Sequence, residues 1–397
     1  MSSNQAQKTD FRDKVFWLVW NIPEGKCISY GDIAVFAGSP RAARIVGGIA
    51  HYGPRELPWH RVVHKDGRLA SGFPGGPEVQ KQLLLAESVD IKKEKVSSDN
   101  QYWWRPSESI TKPIIVIVGE TASGKSSIAM DLAKKNSGAI ICADAWTVKK
   151  GLDIGTAKPS KNDMLKVDHY LVDIVEPDEP FSAAKFQELA NHAITDSYRN
   201  NKLPIVVGGN GLYIDGLIFG YSFLSDYDES LRKKLQSMSN QEVLDEASRR
   251  NLNVSAIDTK NKRRLIRLIE TGGKTSASAP IRRPNTLLIG VERTKQEITQ
   301  RIAQRIEQMI EEGLVGEVES LADKYGWEAE TMKAICYREF KGYFEGVITL
   351  SEVKDLMLKS NNSLAKRQRT WNKKYNNISW VSNSIEAQEL VAEFLAN

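Results

Sequence analysis

The sequence predicts an α/β protein: a doubly wound parallel sheet with a helical insertion, preceded by a small, mostly helical domain. Three observations carry this. Short apolar runs, "PIIVIVG", "GAIICAD", "LPIVVGG" and "TLLIGVE", alternate with helical stretches, the pattern of parallel strands joined by crossover helices. Between about 225 and 284 the chain turns charged and helical without strand signals, so that segment reads as an insertion. A charged, Ser-rich stretch with two prolines, "KKEKVSSDNQYWWRPSESITKP" at 92–113, sets off an N-terminal unit of about a hundred residues, a typical small-domain size.

The elements follow in order. A chain of 397 residues is too long for one core, which implies two or three domains. The boundaries fall at 1–105 for the first domain, 106–112 for a linker and 113–397 for the remainder. Within the last, the sheet occupies 113–224 and 285–397, and the insertion about 225–284. Trp103 and Trp104 are expected to pack back on the first domain, since an exposed tryptophan pair is costly. "TSASAP", 275–280, reads as a short loop, and everything from Lys295 onward as amphipathic helix.

Composition excludes little. A hydrophobic content of 41% and a charged content of 26% are ordinary for a globular protein, and a net charge of +5 permits a nucleic-acid partner without arguing for one. Cys27, Cys142 and Cys336 lie far apart with no CxxC spacing, so no disulfide framework or self-contained zinc site is expected, and a reducing cytoplasm fits best. The start, "MSSNQAQKTDFRDK", has no apolar stretch, so no secretory signal is expected; no run approaches a membrane span, so no membrane partner is expected. A monomer is the expected state.

The chemistry begins at "GETASGKS", 119–126, which is GxxxxGKS between a strand and a helix. In such a loop Gly119, Thr121, Ala122, Ser123 and Gly124 bring backbone N–H groups to phosphate oxygens, and Lys125 reaches the terminal phosphates. Ser126 is the expected ligand of a magnesium ion, Mg2+. The next strand ends at Asp144, on the sheet edge that faces the ligand crevice. A carboxylate there would hold magnesium or accept a proton from a nucleophile; spacing alone does not choose.

"VGETASGKS", "AD…GLDIGTAKP", "HYLVDI", "FSAAKF", "PIVVGGNGLYIDGLIFG", "RRLIRLIE", "CYRE" and "LAKRQRTW" occur in the order found in tRNA dimethylallyltransferases, which residues 113–397 resemble. The resemblance implies transfer of a dimethylallyl group from dimethylallyl diphosphate to the exocyclic amine of the adenine 3′ of the tRNA anticodon. Asp144 then matches the general base, Arg338 a diphosphate contact, and Asn210 stands where the family usually has Thr. Ala145, Trp146, Thr147 and Lys149 fall where the family seats the target adenine. The resemblance places Arg263, Arg264 and Arg267 in a segment that contacts the RNA; Lys366, Arg367 and Arg369 form a second basic run on one predicted helix. As bare charge runs both segments read as solvated helix faces, but beside the matched site they point to phosphate contacts with the tRNA anticodon stem-loop. Without the resemblance, Arg338 reads as a surface ion-pair partner. Two rivals remain: a P-loop kinase using the same ATP-binding motif, and a binding protein whose transferase half has decayed.

In the first domain, "SYGDIAVFAGSPRAARIVGGIA" has two short helices about a Gly-Ser-Pro turn, a helix-turn-helix signal. With "LPWHRVV" it resembles the winged helix-turn-helix-like DNA-binding domain of alkylguanine-DNA alkyltransferases, with Trp59 in the acceptor cysteine's place. An indole offers no thiolate, so the likeness is to alkyltransferase-like proteins that bind alkylated guanine in double-stranded DNA without repairing it. The resemblance assigns Tyr30, Arg44, Trp59 and Arg68 to the lesion, and leaves His60 and Glu87 structural work only. For Trp59 the plain alternative is a core indole.

Overall fold

The computed structural model describes residues 10–223, 228–255, 257–274 and 277–396. Most of the N-terminal segment, part of the insertion's entry and Thr275 and Ser276 of the expected loop lie outside the described residues.

The first domain is built on α1 (Phe11–Trp20), β1 (Ile28–Ser29), α2 (Tyr30–Phe36), α3 (Ala43–Tyr52), β2 (Val62–Val63), α4 (Gly76–Ala86) and an antiparallel pair, β3 (Ile91–Lys92) and β4 (Lys95–Val96). Asp10 caps α1 and Ser29 caps α2, each accepting a backbone N–H with its side chain, which satisfies amides that a helix start leaves unpaired. Helices α2 and α3 form the helix-turn-helix. They close over a core of Val15, Leu18, Ile22, Ile28, Ile33, Val46 and Trp59.

The large domain carries a six-stranded, all-parallel sheet: β5 (Ile114–Gly119), β6 (Gly138–Cys142), β7 (His169–Tyr170), β8 (Leu203–Val207), β9 (Thr286–Val291) and β10 (Ser379–Val381), in the order β10-β9-β5-β8-β6-β7. Strands of period two send alternate side chains to opposite faces. Ile114, Val116 and Val118 therefore meet α7 (Ala183–Arg199) and α8 (Gly211–Ile218) on one side, after α6 (Lys161–Lys166) in the chain. Ile115 and Ile117 meet α5 (Lys125–Lys135) and, at the chain's end, the last helix on the other. Burial on both faces explains why these strands read as unbroken apolar runs.

The second compact unit, 221–279, is helical: α9 (Glu229–Ser237), α10 (Asn240–Arg249) and α11 (Lys262–Glu270), around Leu235, Val243, Leu265 and Ile269. Back in the first unit come α12 (Lys295–Glu311), α13 (Leu314–Tyr325), α14 (Lys341–Phe344), α15 (Leu350–Asn372) and α16 (Ser384–Ala396). Capping boxes Thr294/Glu297 and Thr349/Glu352 start α12 and α15. The expectation of helix throughout from Lys295 is corrected by β10, three residues that pair with β9 at the sheet edge. A strand that short leaves no periodic signal.

Segment 106–112 is a stitched joint. Ile110 packs into the first domain's core beside Ile281, and Thr111 Oγ1 donates to the Phe36 carbonyl. Buried Arg283 donates to the carbonyls of Ser109 at 2.8 Å and Lys112 at 3.0 Å. Trp20 Nε1 donates to the Gly220 carbonyl at 2.7 Å. Trp103 and Trp104 pack on the first domain, as their sequence position demands.

Candidate active site

Strand β5 ends in Gly119, and the loop to α5 has Ala122 and Gly124 at positive φ, which wraps its backbone around a concavity. Ser123 is fully buried, and its Oγ has no partner among the described residues. A buried hydroxyl left unpaired is uncommon, and here it sits at the base of the glycine-containing loop. Lys125 donates to the Glu120 carbonyl at 2.7 Å. Desolvation there, with Arg305 as a neighbouring cation, pulls its ammonium down to about 8.

Asp144 follows β6. Its Oδ1 accepts the N–H of Trp146 at 2.8 Å and of Thr147 at 3.3 Å, an Asx turn that fixes the carboxylate. Asn210 caps α8 through Oδ1, which accepts from Tyr213 N, so its Nδ2 is left as the donating end. The two loops are pressed together: a Cβ on Gly208 would lie 2.0 Å from the Ala143 carbonyl oxygen. One cleft of about 910 Å³ is lined by Thr121, Lys125, Ser126, Asp144, Ala145, Trp146, Thr147, Asn210, Arg338 and Arg367.

Arg338 reaches the cleft from the turn before α14, held by Glu339 Oε1 at 2.9 Å and Ser360 Oγ at 3.2 Å. That turn contains Cys336 at φ 74, a costly conformation for a non-glycine residue, of the kind found at functional sites. Glu317 ties that turn to the 154–155 segment, accepting the N–H groups of Ile154 and Gly155 and the Tyr337 hydroxyl.

Within the first unit, three of the expected residues are already paired or stand outside the cleft lining. Lys149 points away from the cleft, its ammonium donating to the carbonyls of Pro177 and Glu179. Arg369, expected at the tRNA, is instead taken up by a two-pronged ion pair with Glu120 at 2.5 and 2.6 Å. Lys366 is exposed on α15, outside the cleft lining. Arg263, Arg264 and Arg267 lie on α11 in the second unit, where Arg267 pairs with Glu270 at 3.5 Å and Arg232 holds the same carboxylate. Three contributors carry no role assigned from the sequence, although Gln368 lies inside the run LAKRQRTW. Arg305 on α12 lines the cleft beside Thr121, with its Nε buried and unpartnered among the described residues. The others are Glu317 and Gln368.

In the first domain Arg44 is exposed on the first turn of α3, and Tyr30 begins α2 with its ring 5.7 Å from that of His64. Arg68 is exposed and paired with Asp66 at 2.7 Å. Trp59 is seated as a core indole, 7% exposed, edge-on to Phe16, with Nε1 donating to the Pro54 carbonyl at 2.9 Å. Glu87 accepts from His60 and from Arg61. Burial pushes its carboxyl up, but the hydrogen bonds from Arg61 and His60 prevail and hold it at about 2.

Fold and site define a P-loop α/β protein with a phosphate cradle and a carboxylate facing one cleft. The IPP transferase family model matches residues 147–375, and the chain belongs to that family. It is 36% identical over 300 residues to a tRNA dimethylallyltransferase of Staphylococcus carnosus (strain TM300), covering 71% of this chain and 95% of that one. It is 34% identical over 283 residues to that of Bacillus subtilis (strain 168), covering 68% and 90%. The crystal structure of a full-length tRNA isopentenylpyrophosphate transferase from Bacillus halodurans matches with a TM-score of 0.56 at 33% identity, covering 72% of this chain and 97% of that chain. The DNA-binding-domain model of 6-O-methylguanine DNA methyltransferase matches residues 10–89, so the N-terminal unit is a DNA-binding domain of the alkyltransferase type.

Proposed function

We propose that the chain transfers a dimethylallyl group from dimethylallyl diphosphate to the N6 amine of the adenosine 3′ of a tRNA anticodon. The observation that carries this reading is the single cleft that joins a phosphate loop to a carboxylate and an amide donor on the facing loop. An adenine amine is a weak nucleophile, because its lone pair is delocalised into the ring. As the N–C bond forms, Asp144 takes one amine proton, and its fixed Oδ1 keeps the carboxylate in place. The C–O bond to the diphosphate breaks, and negative charge collects on the leaving group. Lys125, Arg305 and Arg338 on the cleft lining, with the Ser123 hydroxyl and the loop amides, would stabilise it. Asn210 donates from the nucleophile side.

The site also suits a magnesium ion. No group of three His, Cys, Asp or Glu side chains gathers among the described residues, so an all-protein cage is not what this cleft provides. Magnesium bound through one hydroxyl, water and phosphate oxygens fits the donors present, with Ser126 on the cleft wall as the protein ligand. The ion would supply charge neutralisation at the diphosphate.

The N-terminal domain, in this reading, binds alkylated guanine in double-stranded DNA and accepts no alkyl group. Cys27 is buried, and desolvation raises its thiol to about 12, so it does not replace the missing nucleophile. The whole reading is tested by incubating the full chain with radiolabelled dimethylallyl diphosphate, magnesium and a tRNA bearing adenosine beside its anticodon. Label in the tRNA is expected. Hydrolysis of ATP with no label transferred to the tRNA would overturn it.

A further inference from the structure

The cleft has two sides that must be held at a fixed separation. The diphosphate side is the loop after β5; the nucleophile side is Asp144 together with the loop after β8. One side chain touches both. Gln368, near the end of α15, accepts the Thr121 N–H on Oε1 at 2.7 Å and donates from Nε2 to the Gly209 carbonyl at 3.1 Å. Thr121 belongs to the phosphate loop, and Gly209 immediately precedes Asn210. Gly209 is built for this contact: a Cβ there would lie 2.1 Å from Gln368 Nε2.

We infer that Gln368 is a positioning residue that sets the gap between the leaving diphosphate and the attacking amine. The inference rests on the transferase reading above. A primary amide suits this bridge because it carries an acceptor and a donor in one plane, matched to an N–H on one side and a C=O on the other. Its neighbours brace the same helix end. Arg369 grips Glu120 of the phosphate loop, and Trp371 fills the space above Gly211, where a Cβ would lie 2.3 Å from the indole. An error of about 1 Å in such a gap costs on the order of a hundredfold in rate.

Two full-chain variants test this, Gln368→Met and Gln368→Glu, each compared with the wild type for kcat, for KM of both substrates and across pH. Gln368→Met keeps the length and loses both hydrogen bonds; kcat is expected to fall by about a hundredfold, with both KM values within about threefold. Gln368→Glu keeps the acceptor and loses the donor while ionised, and regains it when protonated. Its rate relative to the wild type should therefore climb at least severalfold as pH falls from 8 to 5.5, a signature that a role in folding alone does not produce. If Gln368→Met fails to fold, the pH ratio of Gln368→Glu decides. Wild-type kcat in Gln368→Glu, or a deficit that does not change with pH, overturns the inference. Absence of prenylation by the wild type would instead sink the transferase reading.

Discussion

Replacing Gly208 by Ala adds one methyl group where backbone stands. The new Cβ would lie 2.0 Å from the Ala143 carbonyl oxygen and 2.5 Å from its carbon. Ordinary non-bonded contact needs about 3.5 Å, so one of the two loops must move by about 1–1.5 Å. Neither yields freely. Ala143 N donates to the Val207 carbonyl at 2.7 Å, the last bond tying β6 to β8, and Asp144 follows directly. Overpacking of this kind costs about 1–3 kcal/mol. The larger effect should be catalytic, since the displacement separates Asp144 from Asn210: kcat is expected to fall on the order of a hundredfold. Thermal unfolding and steady-state prenylation of the purified variant measure both. A variant with wild-type Tm and wild-type kcat would refute the claim that these two loops are locked in contact.

Two further outcomes concern charge. Lys125 is held at about 8, so its ammonium is charged below that pH and lost above it; kcat/KM for dimethylallyl diphosphate should fall about tenfold between pH 7 and 9. Lys125→Arg, whose guanidinium stays charged, should flatten that limb whatever its absolute rate, and a flat wild-type profile would contradict the assignment. Arg44→Ala should reduce the preference for duplex DNA containing an alkylated guanine over unmodified duplex by about tenfold, equal to about 1.4 kcal/mol. Binding titrations with the two duplexes measure it, and unchanged selectivity would count against a lesion role for α3.

Much of this was legible in the sequence because the information is local. The phosphate loop is eight consecutive residues between a strand and a helix, and the sheet's central strands are continuous apolar runs because both faces are buried. What sequence reading missed depends on partners far along the chain. Arg369 sits in a basic run and reads as an RNA contact, yet its partner Glu120 lies 249 residues away. Lys149 likewise finds its carbonyl partners only after the chain turns back at 177–179. Arg305 is a single residue on an amphipathic helix, where nothing in the spacing separates a cleft residue from a solvated one; Gln368 lies inside the run LAKRQRTW, but its role depends on backbone partners at 121 and 209. Trp59 stands in a motif whose resemblance assigns it to the lesion, while the fold packs its ring edge-on to Phe16 in the core, the plain alternative.

In the proposed reaction Asp144 takes the proton from the adenine amine while the loop at 119–126 receives the diphosphate. Asp144→Asn tests it most directly, because the amide oxygen can still accept the Trp146 N–H and preserve the turn, but it cannot serve as base. The kcat for tRNA prenylation is expected to fall by about 10²–10⁴, with KM for dimethylallyl diphosphate changed only a few-fold. A variant that prenylates tRNA at the wild-type rate would contradict it.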